Sequence, residues 1–140
     1  MKKNKIVITS TTALILVAVI IFIIINNGTD KGTSKNIEIK KNIIIGDWVR
    51  TDASYLIRIN VVNNDGTLEA QYFNPKPINV ETATLEESYS NLKIILVLRD
   101  VNYPGSRYTL NYLPDRDILA GEYYQAVESL TFYVEFVRNK

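Results

Sequence analysis

"YLIRINVVNNDGTLEAQYF" (Tyr55–Phe73) decides the fold class. In an extended chain successive side chains point to opposite faces. Tyr55, Ile57, Ile59 and Val61 therefore fall on one side, and Leu68, Ala70 and Tyr72 lie opposite Glu69 and Gln71. Between the two runs, Asn63-Asn64-Asp65-Gly66 supplies residues that tolerate the positive φ of a tight hairpin. The stretch reads as strand, turn, strand.

The pattern recurs in "YTLNYLPDRDILAGEYYQ" (Tyr108–Gln125), where Tyr108, Leu110 and Tyr112 alternate, Pro114–Asp117 turns, and Leu119, Gly121 and Tyr123 keep step. The match of "DGTLEAQY" to "DILAGEYY" is approximate and reads as shared hairpin architecture. "GDWVRTD", "INVETATL", "LKIILVLRD" and "LTFYVEFVR" complete a set of about eight strands, at the ~8–12-residue spacing of closed all-β folds. No segment after Gly46 has helical periodicity, and an open sheet of this size leaves costly edges. The expected fold is all-β: an antiparallel up-and-down barrel of about eight strands, with a two-sheet sandwich as the alternative. Such a barrel either fills with side chains or holds one small ligand.

The chain before Gly46 has another character. Residues 1–5 carry Lys2, Lys3 and Lys5, and Ile6–Ile25 contains no charge. As a helix that run reaches roughly 30 Å, the thickness of a bilayer's hydrocarbon core. It exceeds the ~7–15-residue core of a cleavable signal and ends in "FIIINNG" where small residues should precede a cut. Residues 6–25 are thus expected to be an uncleaved transmembrane signal-anchor helix, with a cleaved signal as the alternative. The basic N-terminus, residues 1–5, is expected in the cytoplasm, and the rest outside a bacterial cytoplasmic membrane crossed once. Lys31, Lys35, Lys40 and Lys41 weigh against that orientation, but long folded domains translocate largely regardless of such charges. Residues 26–45 read as a polar linker and residues 46–140 as the barrel domain.

The charge divides along the same line. Residues 1–45 carry seven Lys against Asp30 and Glu38, whereas residues 46–140 carry nine basic and thirteen acidic groups. A folded part with an acidic excess has the opposite bias from a nucleic-acid binder. Several chemistries are also closed. Without His or Cys there is no Ser-His triad, no thiol nucleophile and no ordinary zinc site, and no phosphate-binding glycine motif is present. "NNDGTLE" has the look of a calcium loop, but aligning Gly66 with the required glycine puts Val61 and Tyr72 at ligand positions. No metal and no cofactor is expected. An enzyme relying on two carboxylates would use Asp52 and Asp100 first, but no motif supports catalysis, and the expectation is a non-enzyme.

Gly46-Asp47-Trp48 at the first strand and Phe136-Val137-Arg138 at the end resemble the calycin architecture of lipocalins and avidin-type barrels. In lipocalins a Gly-x-Trp opens the barrel and an Arg of the last strand packs across the Trp. The resemblance implies that Arg138 lies over Trp48, closing one barrel end. A broader resemblance covers nearly all of residues 46–138. "GDWVRTDASYLIRI", "DGTLEAQYFNPKPINV", "LRDVNYPGSRYTLNY" and "LAGEYYQAVESLTFYVEF" are similar to a group of small bacterial envelope proteins of unassigned function. That group implies an envelope β-domain and no particular chemistry.

Strand parity nominates the remaining residues. Trp48, Arg50 and Asp52 share one face; Phe132, Val134, Phe136 and Arg138 share another. Arg50 and Asp52 either pair, with each other or with Asp100, or receive a polar ligand. In "YFNPKPI" two prolines make a rigid bend, beside which Asn74 can present its amide at a pocket mouth. Tyr103-Pro104-Gly105-Ser106 fits a type II turn. Around it, Arg99, Asp100, Asn102 and Arg107 either brace a rim or converge on a ligand. Tyr55, Tyr72, Tyr108, Tyr112 and Tyr123 all fall on apolar faces, and Gln125 follows Tyr123, so the interior is a polar-tipped core or an amphipathic cavity. The expected function is a membrane-anchored extracytoplasmic barrel binding a small amphipathic ligand through Arg50, Asp52, Tyr72, Asn74, Arg99, Asn102, Tyr108, Tyr123 and Gln125. The alternative is an interaction or scaffolding domain with a filled core, recognising an envelope protein through its loop rim.

Overall fold

The computed structural model describes residues 40–89 and 91–140. The expected membrane span and most of the expected linker lie outside the described residues. Among those described, no helix is long and apolar enough to cross a membrane.

The alternating segments form β1 (Gly46–Arg50), β2 (Leu56–Val62), β3 (Leu68–Asn74), β4 (Lys76–Ile78), β5 (Val80–Ser88), β6 (Asn91–Leu98), β7 (Arg107–Leu113), β8 (Ile118–Gln125) and β9 (Leu130–Arg138). They make one antiparallel sheet in the order β4-β3-β2-β1-β9-β8-β7-β6-β5, in which the last strand returns to the first. Trp48 lies opposite Arg138 and Arg50 opposite Phe136. At the two ends of that order, Thr67 bridges Thr84 of β5, and the Leu85 amide donates to the Gly66 carbonyl at 2.7 Å. The sheet is therefore a nearly closed barrel of nine strands.

The ninth strand is β4, which the sequence reading treats as a bend. The chain reverses at Pro75, so that Asn74 faces Lys76, Phe73 faces Pro77 and Tyr72 faces Ile78. Pro77 has no amide to donate, which an edge position tolerates. β4 and β5 then follow each other along the same side of β3, Ile78 beside Tyr72 and Thr84 beside Thr67. Eight apolar runs become nine strands because one of them is interrupted at Asn79.

The interior is a single apolar cluster. Trp48, Ile57, Tyr72, Tyr108, Leu110 and Phe136 are fully buried, with Ile94, Leu96 and Leu98 beside them. Ile44 is fully buried as well, so the segment from Lys40 to Ile45, read from sequence as the end of a linker, packs onto the barrel. Its Ile44 carbonyl accepts the Trp48 indole N–H at 2.8 Å.

Val61 does not share the inward face of Ile57 and Ile59. Ile59 pairs with Ala70 and Val61 with Glu69, so Asn60 is an extra residue, a β-bulge that reverses the parity behind it. Val62 packs on the core and Val61 is exposed. The turns match their residues: Gly66 donates to the Asn63 carbonyl at 3.1 Å, and Asp65 Oδ1 accepts from the Thr67 amide at 2.9 Å. The Ser106 amide donates to the Tyr103 carbonyl at 2.9 Å, and Gly105 at φ 76° takes the left-handed position that a type II turn requires.

A tyrosine-lined cleft at one barrel end

The two ends of the barrel differ. At the end where β1 starts and β9 finishes, Arg138 Cζ lies 4.1 Å from the Trp48 ring centroid. Its guanidinium donates to Asp117 at 2.8 and 2.9 Å and to the carbonyls of Ile45 and Ile43 at 2.9 and 2.7 Å. Trp48 and Ile44 fill the barrel there, with the Tyr112 ring edge-on to the indole at a centroid distance of 6.1 Å. Arg138 thus ties β9, the turn before β8 and the segment before β1 together over the Trp48 ring.

At the other end β1 finishes in Arg50, β3 in Asn74 and β8 in Gln125. They leave a cleft of about 380 Å³. Tyr72, Tyr123 and Tyr55 form its aromatic part; Arg50, Asp52, Asn74 and Gln125 supply polar groups; Ala53, Tyr103 and Phe132 complete the lining. A volume of this size lies in the ~300–1,000 Å³ range of small-molecule sites.

The cleft's floor is a tyrosine stack. The Tyr72 and Tyr108 hydroxyls hydrogen-bond at 2.9 Å, and the Tyr108 ring stacks on Tyr123 with centroids 4.5 Å apart. Burial pushes the Tyr72 hydroxyl far above the ordinary phenol range. It pushes Tyr108 up to about 12, with the Tyr72 hydrogen bond and the charge of Arg50 pulling the other way. Both phenols are therefore neutral donors and acceptors at physiological pH.

The cleft's charges are an ion pair at its mouth. Arg50 Nε donates to Asp52 Oδ1 at 2.6 Å and Nη2 to Oδ2 at 3.0 Å, the mutual pairing that a two-residue spacing allows. The Arg50 side chain is only 10% exposed, whereas that of Asp52 is 60% exposed. Hydrogen bonds from Arg50 hold the Asp52 carboxyl below the usual carboxylate range, against a smaller opposing effect of desolvation. Arg50 Cζ also sits 5.3 Å from the centroid of the Tyr55 ring.

The β6–β7 loop makes one wall. Asn74 Nδ2 donates to the Tyr103 hydroxyl at 2.6 Å, tying strand β3 to the loop. Asp100 accepts from the Asn79 amide at 3.1 Å and from Asn79 Nδ2 at 2.6 Å, which braces the loop against the β4–β5 junction. Ser106 is fully buried and its Oγ accepts from the Ala126 amide at 3.1 Å. Arg99, Asn102 and Arg107 are exposed and lie outside the lining. Asp52 and Asp100 have separate partners, Arg50 and Asn79.

Of the residues nominated from sequence, Arg50, Asp52, Tyr72, Asn74, Tyr123 and Gln125 come together at the cleft. Tyr108 lies against Tyr72 and Tyr123 without lining it. Sequence reasoning does not single out Ala53, Tyr103 or Phe132 as lining. Tyr103 reads as the first residue of a turn, and only the loop's fold directs it inward. Phe132 carries a signal, its shared parity with Val134 and Phe136. Among the described residues no group of acidic side chains is placed to hold a metal ion. No family model, curated protein or solved structure matches this chain.

Proposed function

We propose that the barrel is a binding domain for a small amphipathic molecule, held outside the membrane by the N-terminal anchor and built on a lipocalin- or avidin-like plan. The observation that carries the reading is the open cleft of about 380 Å³, aromatic below and polar at its mouth. A barrel made only for stability would fill this end as it fills the Trp48 end. Tyrosines suit the task, since each offers a large apolar face and a polar tip.

Native mass spectrometry of the full-length protein released from detergent tests it. A reproducible extra mass, distinct from the detergent and lost in Tyr123→Ala with circular dichroism unchanged, is expected. A clean mass in several detergents counts against ligand carriage.

The alternative is an interaction domain that docks a partner protein on its loop rim. Val101 and Val127, in the loops around the cleft, are 93% and 61% exposed, and Leu130, paired with Gln125 at the same end, is exposed too. Such side chains suit docking of a partner protein on the rim. Crosslinking from the Val101 and Val127 positions, with no bound small molecule, would favour it.

A further inference from the structure

Two charged side chains line the cleft, and they are unequal. Arg50 is nearly buried, and two of its N–H groups, on Nε and Nη2, are directed at Asp52. Asp52 is the exposed partner, carried on the short connection between β1 and β2. A guanidinium edge is a planar fork that matches a carboxylate through two parallel hydrogen bonds. A nearly buried Arg without a counter-ion is costly, so Asp52 serves as an internal one. Another carboxylate can take its place with the same charges and the same number of hydrogen bonds, while Asp52 moves into water, where it is well solvated. A neutral guest cannot replace that counter-charge, and a cationic one drawn to the exposed Asp52 meets the charge of Arg50 beside it.

We propose, on the ligand-binding reading above, that the cleft takes an anionic amphiphile whose carboxylate replaces Asp52 on Arg50. Its apolar part lies against Tyr123 and Phe132, which line the same cleft. Asp52 is thus a resident competitor. It keeps Arg50 paired when the cleft is empty and lowers the affinity for any anion that enters.

The test uses the full-length chain in lipid nanodiscs, titrated calorimetrically, with empty nanodiscs as the blank. The probes are naphthalene carboxylate, its carboxamide and the naphthylmethylammonium ion, which share a ring system and differ in charge. The carboxylate is expected to bind at least about tenfold more tightly than the other two, the scale of one charge-assisted pairing. Asp52→Asn removes the competitor, and is expected to raise carboxylate affinity by about tenfold while leaving the carboxamide unchanged. Arg50→Lys keeps the charge without the fork and is expected to lose most of the preference. The anion assignment is overturned, and the cleft reading survives, if the carboxamide or ammonium ion binds as tightly as the carboxylate in a Tyr123-dependent manner. It is likewise overturned if Asp52→Asn fails to strengthen carboxylate binding. No binding of any probe at millimolar concentration overturns both readings.

Discussion

Tyr72 and Tyr108 spend their hydroxyls on each other inside the barrel, at 2.9 Å. Tyr72→Phe leaves the Tyr108 hydroxyl buried without that partner, and the expected cost is about 1–2 kcal/mol in urea denaturation. The double change Tyr72→Phe with Tyr108→Phe removes both polar groups and is expected to cost less than the sum of the two single changes. Arg138 is the other residue on which much converges, with Asp117, two carbonyls and the Trp48 face around one guanidinium. Arg138→Ala is expected to destabilise by about 2–4 kcal/mol, read through Trp48 fluorescence, and Arg138→Lys by less. That difference depends on pH. Hydrogen bonds from Arg138 hold the Asp117 carboxyl below the usual range. An acid whose folded pKa is depressed stabilises above its unfolded pKa, and the gain is lost as pH falls through the folded value. The gap between wild type and Arg138→Ala should therefore narrow below about pH 4.

Among the elements, the β7–β8 pair shows what barrel curvature demands. Gly121 pairs with Leu110 on one side and Val134 on the other, and a Cβ there would run into the Thr109 carbonyl oxygen. Backbone stands in the way rather than a movable side chain. Gly121→Ala is therefore expected to cost more than about 3 kcal/mol, seen as a lowered or lost cooperative thermal transition. Strand parity made β7 legible in the sequence, because Tyr108, Leu110 and Tyr112 alternate without interruption, whereas β8 opens with Ile118, Leu119 and Ala120 all buried. It failed at Val61, since no residue type announces the bulge at Asn60, and at β4, where two prolines argue against a strand that the edge accepts. The cleft divides in the same way. Arg50, Tyr72, Asn74, Tyr123 and Gln125 were legible because each continues the inward parity of its strand. Tyr103 was not, since it comes inward through Asp100 on Asn79 and Asn74 on its own hydroxyl, contacts between segments far apart in sequence.

Across the whole barrel, packing and cleft are laid end to end, and the tyrosine stack lies between them. Ile44 and Trp48 fill one end, Tyr72, Tyr108 and Phe136 are buried in the middle, and Tyr123 faces the open end. This arrangement sets the pH limit of the fold. Phenols ordinarily ionise near 10.0, whereas burial raises Tyr108 to about 12 and Tyr72 further. For an acid whose folded pKa lies above its unfolded one, stability is fully present below the unfolded value and is lost as pH rises through the folded one. The barrel is therefore expected to lose stability progressively above about pH 10 and to unfold cooperatively as the buried pair is forced to ionise. Tyrosinate absorbance should rise in two phases, the later one coinciding with loss of the far-ultraviolet dichroism of the sheet. In the Tyr72→Phe, Tyr108→Phe double variant the later phase should shrink and the alkaline midpoint should move upward, even though that variant is less stable at neutral pH. A single phase near pH 10 with the sheet intact would mean that water reaches the tyrosine stack from the cleft, and that the barrel is open further down than its floor.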